Sequence, residues 1–245
     1  MTLLCTGSGQ YTMVRGMNVT LVTGASRGIG RAVARQLTRF GTVLATARDP
    51  RQAEQPGVET LRLDVTDEAT IRAAVKVVEE RYGRLDALVN NAGISLERGT
   101  DPAEVDAGTL RRVYETNVIG VVAVTHAFLP LLRRSPAARI VNVSGASGSL
   151  GEWSDPQSPV AQFAPLVLSY NSSKSALNAL TVGYARALRD MKVNAASPGY
   201  VATDLNGHRG FRTVEEGAAI IVKLATLDAD GPTGGFFNDD GPIRW

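Results

Sequence analysis

The sequence has little of what disulfide-rich, metal-binding and membrane proteins depend on. Cys5 is the only cysteine in 245 residues, so no internal disulfide can form. The only histidines are His126 and His208, and neither belongs to a zinc-ligand spacing or to a Ser/His/Asp arrangement. These absences favour a cytoplasmic protein without a metal site.

Charge and long apolar runs are equally limited. The formal net charge is +2, and acidic and basic residues are mixed along the chain, so nothing predicts a nucleic-acid partner. The longest apolar runs fall short of the ~18 residues that cross a bilayer, and the N-terminus has no basic region followed by an apolar core. We therefore expect no membrane partner.

What the sequence does have is glycine-rich turns between apolar segments. Hydrophobic residues make up 44% of the chain, which at this length fits one α/β domain. Strand and helix patterns alternate, which predicts a single-domain doubly wound parallel sheet of Rossmann type with helices on both faces. Residues 1–16 are expected to be a disordered lead-in, and 17–245 the folded domain.

The first of these turns follows a short strand predicted at Asn18–Val22 and reads Thr23-Gly-Ala-Ser-Arg-Gly-Ile-Gly30. Glycines permit a tight turn and let a phosphate approach backbone N–H groups at the start of the next helix, where the helix dipole favours an anion. A glycine-rich turn without a ligand is the alternative. The flanking strand and helix favour dinucleotide binding.

The end of the next predicted strand, residues 42–47, bears on the choice of dinucleotide. Arg48 follows it, where NAD-preferring sites place an acidic residue on the ribose 2′-hydroxyl. The guanidinium groups of Arg48 and Arg27 suit a 2′-phosphate, although each could also be a plain surface residue. The pair predicts NADPH, and Asp49, directly after Arg48, opposes that prediction.

Three polar positions in the middle of the chain are candidates for the same site. Asp64 ends a strand and is free to meet an adenine amino group, because Thr66 and Asp67 are better placed to cap the next helix. Asn90-Asn-Ala-Gly93 ends a buried strand, where open parallel sheets bind ligands. Asn117 falls on the apolar side of a helix predicted over 110–132, either as a satisfied core amide or as a water-holding relay.

Tyr170 and Lys174 stand four residues apart, on one face of a predicted helix. A tyrosine hydroxyl titrates near about 10, so it exchanges a proton at neutral pH only if a cation stabilises the phenolate. Lys174 is placed to do that. A solvated surface pair is the alternative, and the other motifs favour chemistry.

An insertion over residues 148–168 precedes this helix. It is rich in Pro, Ser and Gln and is predicted to be an irregular loop, or a lid. Trp153, Phe163 and Leu166 are its candidate walls for a substrate pocket, although a loop tryptophan is as often simple packing.

The motifs at Thr23–Gly30, Asn90–Gly93, Asn117, Tyr170–Lys174 and Pro198-Gly199 stand in the order found in short-chain dehydrogenases/reductases. From residue 18 to about 240 the chain resembles that family. It is most similar to the carbonyl reductase branch, with the menthone and salutaridine reductases, because of the insertion and the ending Gly234-Gly-Phe-Phe.

The resemblance implies an oxidoreductase that moves a hydride from NADPH to a ketone or aldehyde of a small, largely apolar substrate. Tyr170 would be the general acid, Lys174 would lower its pKa and hold the nicotinamide ribose, and Asn117 would hold a relay water. The insertion resembles that of monomeric carbonyl reductases, so a monomer is expected.

The resemblance also implies a cofactor site. Asp64 would meet the adenine, Asn91 would lie beneath the cofactor, and Val201 and Thr203 would contact the nicotinamide amide or the pyrophosphate. The full implied set is Gly24, Ser26, Arg27, Gly28, Ile29, Gly30, Arg48, Asp64, Val65, Asn91, Ala92, Gly93, Tyr170, Lys174, Pro198, Gly199, Val201 and Thr203.

One departure from the family affects the catalytic set. The position of the usual catalytic serine is Gly145, so the donor to the substrate carbonyl is either Ser144 or Ser147. Ser144 is grouped here with Asn117, Tyr170 and Lys174, although on a strand it would point to the opposite face. Losing one such donor costs roughly 100- to 1000-fold in rate. A catalytically weakened NADPH-binding sensor or structural protein is therefore the alternative function.

Overall fold

The computed structural model describes residues 2–5, 11–14, 18–97 and 101–245. Its main sheet has eight strands in the order β10-β9-β8-β7-β6-β3-β4-β5, and all neighbours run parallel except β10, which is antiparallel to β9. The strands of this sheet are β3 Asn18–Val22, β4 Gly41–Ala47, β5 Glu59–Arg62, β6 Ala87–Asn90, β7 Arg139–Val143, β8 Lys192–Ala196, β9 Phe236–Asn238 and β10 Gly241–Pro242.

Helices cover both faces of this sheet, so the predicted doubly wound architecture is confirmed. One face packs against α1 and α8, and the other against α2, α4 and α7, each through a buried apolar cluster. The helices are α1 Gly28–Leu37, α2 Glu68–Tyr82, α3 Ala107–Tyr114, α4 Gly120–Leu132, α5 Leu150–Trp153, α6 Pro159–Phe163, α7 Leu168–Ala187 and α8 Val214–Ala225.

Several helix ends follow from local sequence chemistry. The Asp67 carboxylate accepts hydrogen bonds from the backbone N–H groups of Ala69 and Thr70 and so begins α2. Gly83 ends that helix in the left-handed region, at a φ of 71°. Thr213 and Glu216 form a capping box at the start of α8.

The long helix predicted over 110–132 has a break in its hydrogen-bonding pattern. A π-helical turn, Glu115–Ile119, joins α3 to α4 and contains Asn117. The combined helix Ala107–Leu132 has a mean hydropathy of 1.4 over its most apolar window, so by length and composition it could cross a membrane. Its buried residues, among them Val124 and Phe128, pack against the sheet, as those of core helices do.

The insertion differs from the predicted irregular loop, because it contains α5 and α6. The C-terminus holds it in place: Gly151 N–H donates to the Trp245 carbonyl over 2.7 Å, and the Arg244 guanidinium pairs with Glu152 and Asp155. These ion pairs lower the pKa values of both carboxyl groups.

The predicted lead-in contains an antiparallel pair of strands, β1 Thr2–Cys5 and β2 Tyr11–Val14, separate from the main sheet. The expected disorder of the lead-in stays a prediction. Residues 1, 6–10 and 15–16 lie outside the described part of the chain, and the prediction made for them stays a prediction.

Candidate active site

The glycine-rich turn lies between the end of β3 and the start of α1. Gly24 and Gly28 have φ values of 64° and 55°, which favour glycine. A β-carbon on Gly24 would lie 2.8 Å from the Ala92 Cα, so the turn packs directly on the predicted Asn-Asn-Ala-Gly segment. No side chain caps α1 and its first turn has no acidic residue, which leaves that helix end suited to an anion.

Asn91 connects the two segments. Its side-chain Nδ2 donates to the carbonyl oxygens of Thr23 and Gly24, over 2.9 and 3.1 Å. A β-carbon on Gly30 would lie 2.3 Å from that same nitrogen. The glycine at position 30 therefore provides the space in which Asn91 holds the turn.

The charges near the end of β4 bear on the choice of dinucleotide. The Ala25 N–H donates to the Thr46 carbonyl over 2.8 Å, which places the glycine-rich turn beside this strand end. Both carboxylate oxygens of Asp49 accept from Arg51, and this interaction lowers the pKa of Asp49. Arg51 therefore offsets part of the negative charge of the carboxylate that opposed an NADPH site.

The two arginines predicted for the 2′-phosphate differ in their contacts. Arg27 pairs with Asp204 at 3.1 Å. The side chain of Arg48 is exposed and has no hydrogen bond or ion pair with any residue that the structure describes. Arg48 is therefore the more available of the two.

Asp64 and Val65 follow β5. The Asp64 Oδ1 accepts from the backbone N–H and the hydroxyl of Thr66, over 2.9 and 2.8 Å, while Asp67 caps α2. Its Oδ2 has no hydrogen-bond partner among the described residues. Val65 packs against Gly120, where a β-carbon would come within 2.8 Å of Val65 Cγ2.

The segment after β8 approaches the glycine-rich turn from the other side. Gly199 has a φ of 77°, and the Arg212 guanidinium donates to the Pro198 carbonyl over 3.0 Å. The Thr203 Cγ2 lies 3.4 Å from the place of a β-carbon on Gly28. The structure thus brings together the predicted phosphate-binding residues from both ends of the chain.

Tyr170 and Lys174 lie on one face of α7, with the Lys174 Nζ 5.4 Å from the centroid of the Tyr170 ring. Lys174 is 4% exposed and donates to the Val143 carbonyl over 2.8 Å. Burial lowers the pKa of Lys174 to about 8 and raises the pKa of Tyr170 to about 12.

The pKa of Tyr170 is therefore raised overall and not lowered as expected, because burial outweighs the attraction between the Lys174 ammonium group and a phenolate. The ammonium group lies over the ring and bonds to the backbone, and burial dominates at the phenol. Tyr170 is consequently protonated at neutral pH, which is the form that a general acid needs.

Asn117 is fully buried in the π turn, and its amide is satisfied. Its Oδ1 accepts from the Ile94 N–H over 2.8 Å, and its Nδ2 donates to the Ile94 carbonyl and the Ser173 hydroxyl over 3.0 Å each. A β-carbon on Gly93 would lie 3.4 Å from Asn117 Oδ1 and 3.6 Å from Lys174 Nζ. Asn117 thus fixes Gly93 and Ile94 beside the lysine, as the core-amide alternative described.

The two candidate serines have different surroundings. Ser144 is 2% exposed, and its hydroxyl donates to Asn178 Oδ1 over 2.7 Å. The Ser147 hydroxyl has no hydrogen-bond partner among the described residues, and it lies 3.6 Å from the place of a β-carbon on Gly145. The structure therefore commits the Ser144 hydroxyl to Asn178 and leaves that of Ser147 available.

A cavity of about 600 Å³ opens beside Tyr170, and its lining is predominantly apolar. It falls within the usual range for small-molecule sites. The predicted walls Trp153 and Leu166 do not line it: the Trp153 indole donates to the Ser147 carbonyl and Leu166 is exposed, while the side chain of Phe163 lies outside the described part. The insertion contributes instead Pro159, Val160, Ala164, Pro165 and Val167.

Sequence reasoning missed several residues of this cavity. Tyr200, Leu205 and Phe211 enter from the loop after β8, and nothing in their spacing points to the site. Glu97 was also missed, although a signal existed, because it lies just after Asn90–Gly93 at the ligand-binding edge of the sheet.

Comparison with known proteins places these features in one family. The model of the short chain dehydrogenase family matches residues 18–211. The short-chain dehydrogenase anuI of Penicillium roqueforti is 38% identical, with 85% of this chain and 88% of that protein covered. The NADPH carbonyl reductase 1 of Sus scrofa is 33% identical, with 93% and 94% covered.

The same similarity holds in three dimensions. The NADPH-bound carbonyl reductase from chicken fatty liver matches with a TM-score of 0.82 and 32% identity, over 94% of this chain and 99% of that one. The predicted resemblance to the carbonyl reductase branch is therefore confirmed.

Proposed function

This chain belongs to the short-chain dehydrogenase family, and on that premise we propose that it is an NADPH-dependent reductase of ketones or aldehydes on small, largely apolar molecules. The observation that carries the proposal is that Tyr170 lines an apolar cavity and has the Nζ of the buried Lys174 over its ring. The substrate class follows from that lining.

The residues around the glycine-rich turn fit a nicotinamide dinucleotide. The uncapped N-terminus of α1 and the close packing at Gly24 and Gly30 suit a pyrophosphate held by backbone N–H groups. Arg48 would hold the 2′-phosphate, and Asp64 Oδ2 would accept from the adenine amino group. When bound, the cofactor supplies the hydride. The names of the Sus scrofa and chicken proteins support NADPH.

Three side chains of this protein donate the proton and stabilise the negative charge that develops during the reaction. Tyr170 donates its phenolic proton to the carbonyl oxygen as the carbonyl carbon accepts a hydride, so a ketone becomes a secondary alcohol. The positive charge of Lys174 stabilises the resulting phenolate. The Ser147 hydroxyl donates a hydrogen bond to the carbonyl oxygen in the role usually taken by a serine at position 145.

We also propose that the protein acts as a monomer. The insertion, fixed by its ion pairs to Arg244, is the feature that supports this. Light scattering coupled to gel filtration would give a mass near 26.0 kDa, and a mass four times larger would exclude the monomer.

A second function is favoured by Gly145, because glycine has no hydroxyl group to donate a hydrogen bond to the substrate carbonyl. In that case the protein binds NADPH without efficient turnover and acts as a sensor or a structural protein. Fold alone does not distinguish the two.

Turnover distinguishes them. We would measure NADPH oxidation by the purified protein with a panel of ketones, aldehydes and quinones, alongside NADH and the Tyr170→Phe variant. Carbonyl-dependent oxidation that disappears in Tyr170→Phe supports the reductase. Tight NADPH binding without oxidation of any panel member supports the sensor instead.

A further inference from the structure

One ionisable side chain in the cavity wall has no part in the proposed reaction. Glu97 is 7% exposed and contributes to the lining near Tyr170. Its Oε2 accepts from the backbone N–H of Ser169 over 2.8 Å and from the Ser169 hydroxyl. Its Oε1 is buried and has no hydrogen-bond partner among the residues that the structure describes.

A structural role accounts for only one of the two oxygens of this carboxylate. Val167, at the start of α7, offers no side-chain cap, so Glu97 Oε2 provides the acceptor that the first turn needs. The other oxygen gains nothing from that cap. A buried carboxylate oxygen without a donor is costly, so water, an ion or a ligand is expected to supply the missing hydrogen bond.

We propose that Glu97 Oε1 binds a hydrogen-bond donor on the substrate, and that a protonated amine is the preferred donor. This inference rests on the proposed function, because it places the amine and the reducible carbonyl on one molecule in one cavity. Among the described residues Glu97 has no ion-pair partner, so an ammonium group would supply both the missing donor and the missing charge.

The position of Glu97 relative to Tyr170 lets this contact select among carbonyl substrates. Glu97 is bonded to Ser169, which directly precedes Tyr170 in α7, so one rigid helix end fixes both groups. The rest of the lining is mostly apolar, and its other charged residue, Arg209, is cationic, so Glu97 is the one anionic group in the described lining for an ammonium group to bind. The substrate class is therefore an amino ketone or amino aldehyde with an otherwise apolar skeleton.

The test uses two sets of three aryl ketones of nearly equal size. Acetophenones that carry an aminomethyl, a hydroxymethyl or an ethyl group, each at the meta and the para position, differ in the donor and its charge. We expect kcat/KM with NADPH to be about 10- to 100-fold higher for the aminomethyl ketone than for the ethyl ketone at one of the positions. The difference is expected mainly in KM.

Three variants separate recognition from capping. Glu97→Gln keeps the size of the side chain and removes its charge, so the ratio of kcat/KM between the aminomethyl and the ethyl ketone should fall toward one, whatever the effect on the overall rate. Ser169→Ala removes one partner of Oε2 and leaves the charge, so it should lower thermal stability and keep the preference. Glu104→Gln, at an exposed glutamate, is the matched control and should change neither property.

Equal kcat/KM values for the three ketones within both sets, or a preference that survives in Glu97→Gln, would overturn the inference and leave Glu97 as a helix cap. Calorimetric binding of the same ketones to the NADPH-loaded protein separates this result from a failure of the proposed function. If no ketone is reduced but the aminomethyl compound binds more tightly to the wild type than to Glu97→Gln, the site stands and the reductase does not.

Discussion

The hydroxyl oxygen of Ser147 lies 3.6 Å from the place that a β-carbon on Gly145 would occupy. The cause is a 3₁₀ turn, Ala146–Gly148, in which the Gly148 N–H donates to the Gly145 carbonyl over 2.8 Å. This turn folds the chain back, so a serine two residues later lies close to the space of the missing side chain. Ser144, on the preceding strand end, bonds to Asn178 instead.

Replacing Ser147 by alanine should lower kcat for ketone reduction by roughly 100-fold, because the substrate oxygen loses a hydrogen-bond donor as charge develops on it. Ser144→Ala should cost far less in kcat and should act through stability, since its hydroxyl is buried against Asn178. The check is steady-state kinetics of both variants at saturating NADPH. A larger loss in Ser144→Ala would reverse the assignment.

A serine at position 145 should restore the activity lost in Ser147→Ala. Gly145 has an extended backbone, with a φ of −170°, that any residue can adopt, and its β-carbon would meet only Ser147 Oγ at ordinary contact distance. We expect the Gly145→Ser/Ser147→Ala double variant to recover most of the wild-type kcat. No recovery would mean that the hydroxyl at 147 acts in some other way.

Lys174→Met should stabilise the protein at neutral pH. Burial lowers the lysine pKa from 10.5 to about 8, so between these values the unfolded chain holds a proton that the folded chain has lost. Below pH 8 the buried, charged lysine lowers the free energy of unfolding of the wild type by about 3 kcal/mol. This penalty shrinks as pH rises across the window, so the wild type becomes more stable there. Loss of the bond to the Val143 carbonyl offsets about 1 kcal/mol of the gain.

Urea unfolding at pH 7 and pH 10 measures this effect. The difference between variant and wild type should be positive at pH 7 and close to zero or negative at pH 10. The comparison cancels the opposite contribution of Tyr170, whose raised pKa removes stability above pH 10 in both proteins. The same difference at both pH values would show that Lys174 is not destabilised by burial.

The rate of ketone reduction should fall as pH rises through about 8, because Lys174 then loses the charge that stabilises the Tyr170 phenolate. The measurement is the pH profile of kcat at saturating NADPH. Lys174→Arg carries its charge throughout this range and provides the control, since any activity it retains should show no decline near pH 8.

Arg48→Asp should lower the NADPH/NADH ratio of kcat/KM by at least ~10-fold, because it replaces the available guanidinium by a carboxylate that repels a 2′-phosphate and can bond to a 2′-hydroxyl. Arg39→Asp is the control, because Arg39 lies just beyond the C-terminus of α1, at the end of that helix away from the glycine-rich turn. An unchanged ratio in Arg48→Asp would remove the assignment of this residue.

Arg244→Ala should loosen the insertion. Arg244 lowers the pKa values of Glu152 and Asp155, so its stabilising effect is present above their ordinary values of 4.5 and 3.8 and is lost as pH falls through their lower folded values. We expect a lower Tm at pH 7, little difference near pH 3, and faster proteolysis within 148–168. Equal cleavage rates at pH 7 would show that the C-terminus does not hold the insertion.

Much of the fold could be predicted from local sequence patterns. The strand predicted at Asn18–Val22 has those bounds in the structure, and capping residues set both ends of α2 and the start of α8. Alternation of such segments leaves few topologies, because parallel strands need right-handed crossovers. Tyr170 and Lys174 share a face of α7 for the same local reason, the period of the helix.

The tertiary structure decided what depends on contacts between distant segments. The sequence left the donor open between Ser144 and Ser147, and the packing of α7 on β7 settled the contacts of Ser144 by presenting Asn178 to its hydroxyl. Burial, which no local pattern measures, raised the pKa of Tyr170 and lowered the pKa of Lys174. Both shifts favour the uncharged form of the side chain. The sequence determined which chemical groups the chain carries, and packing determined which of them are desolvated, bonded or left open to a ligand, because desolvation and hydrogen bonding depend on neighbours far apart in the chain.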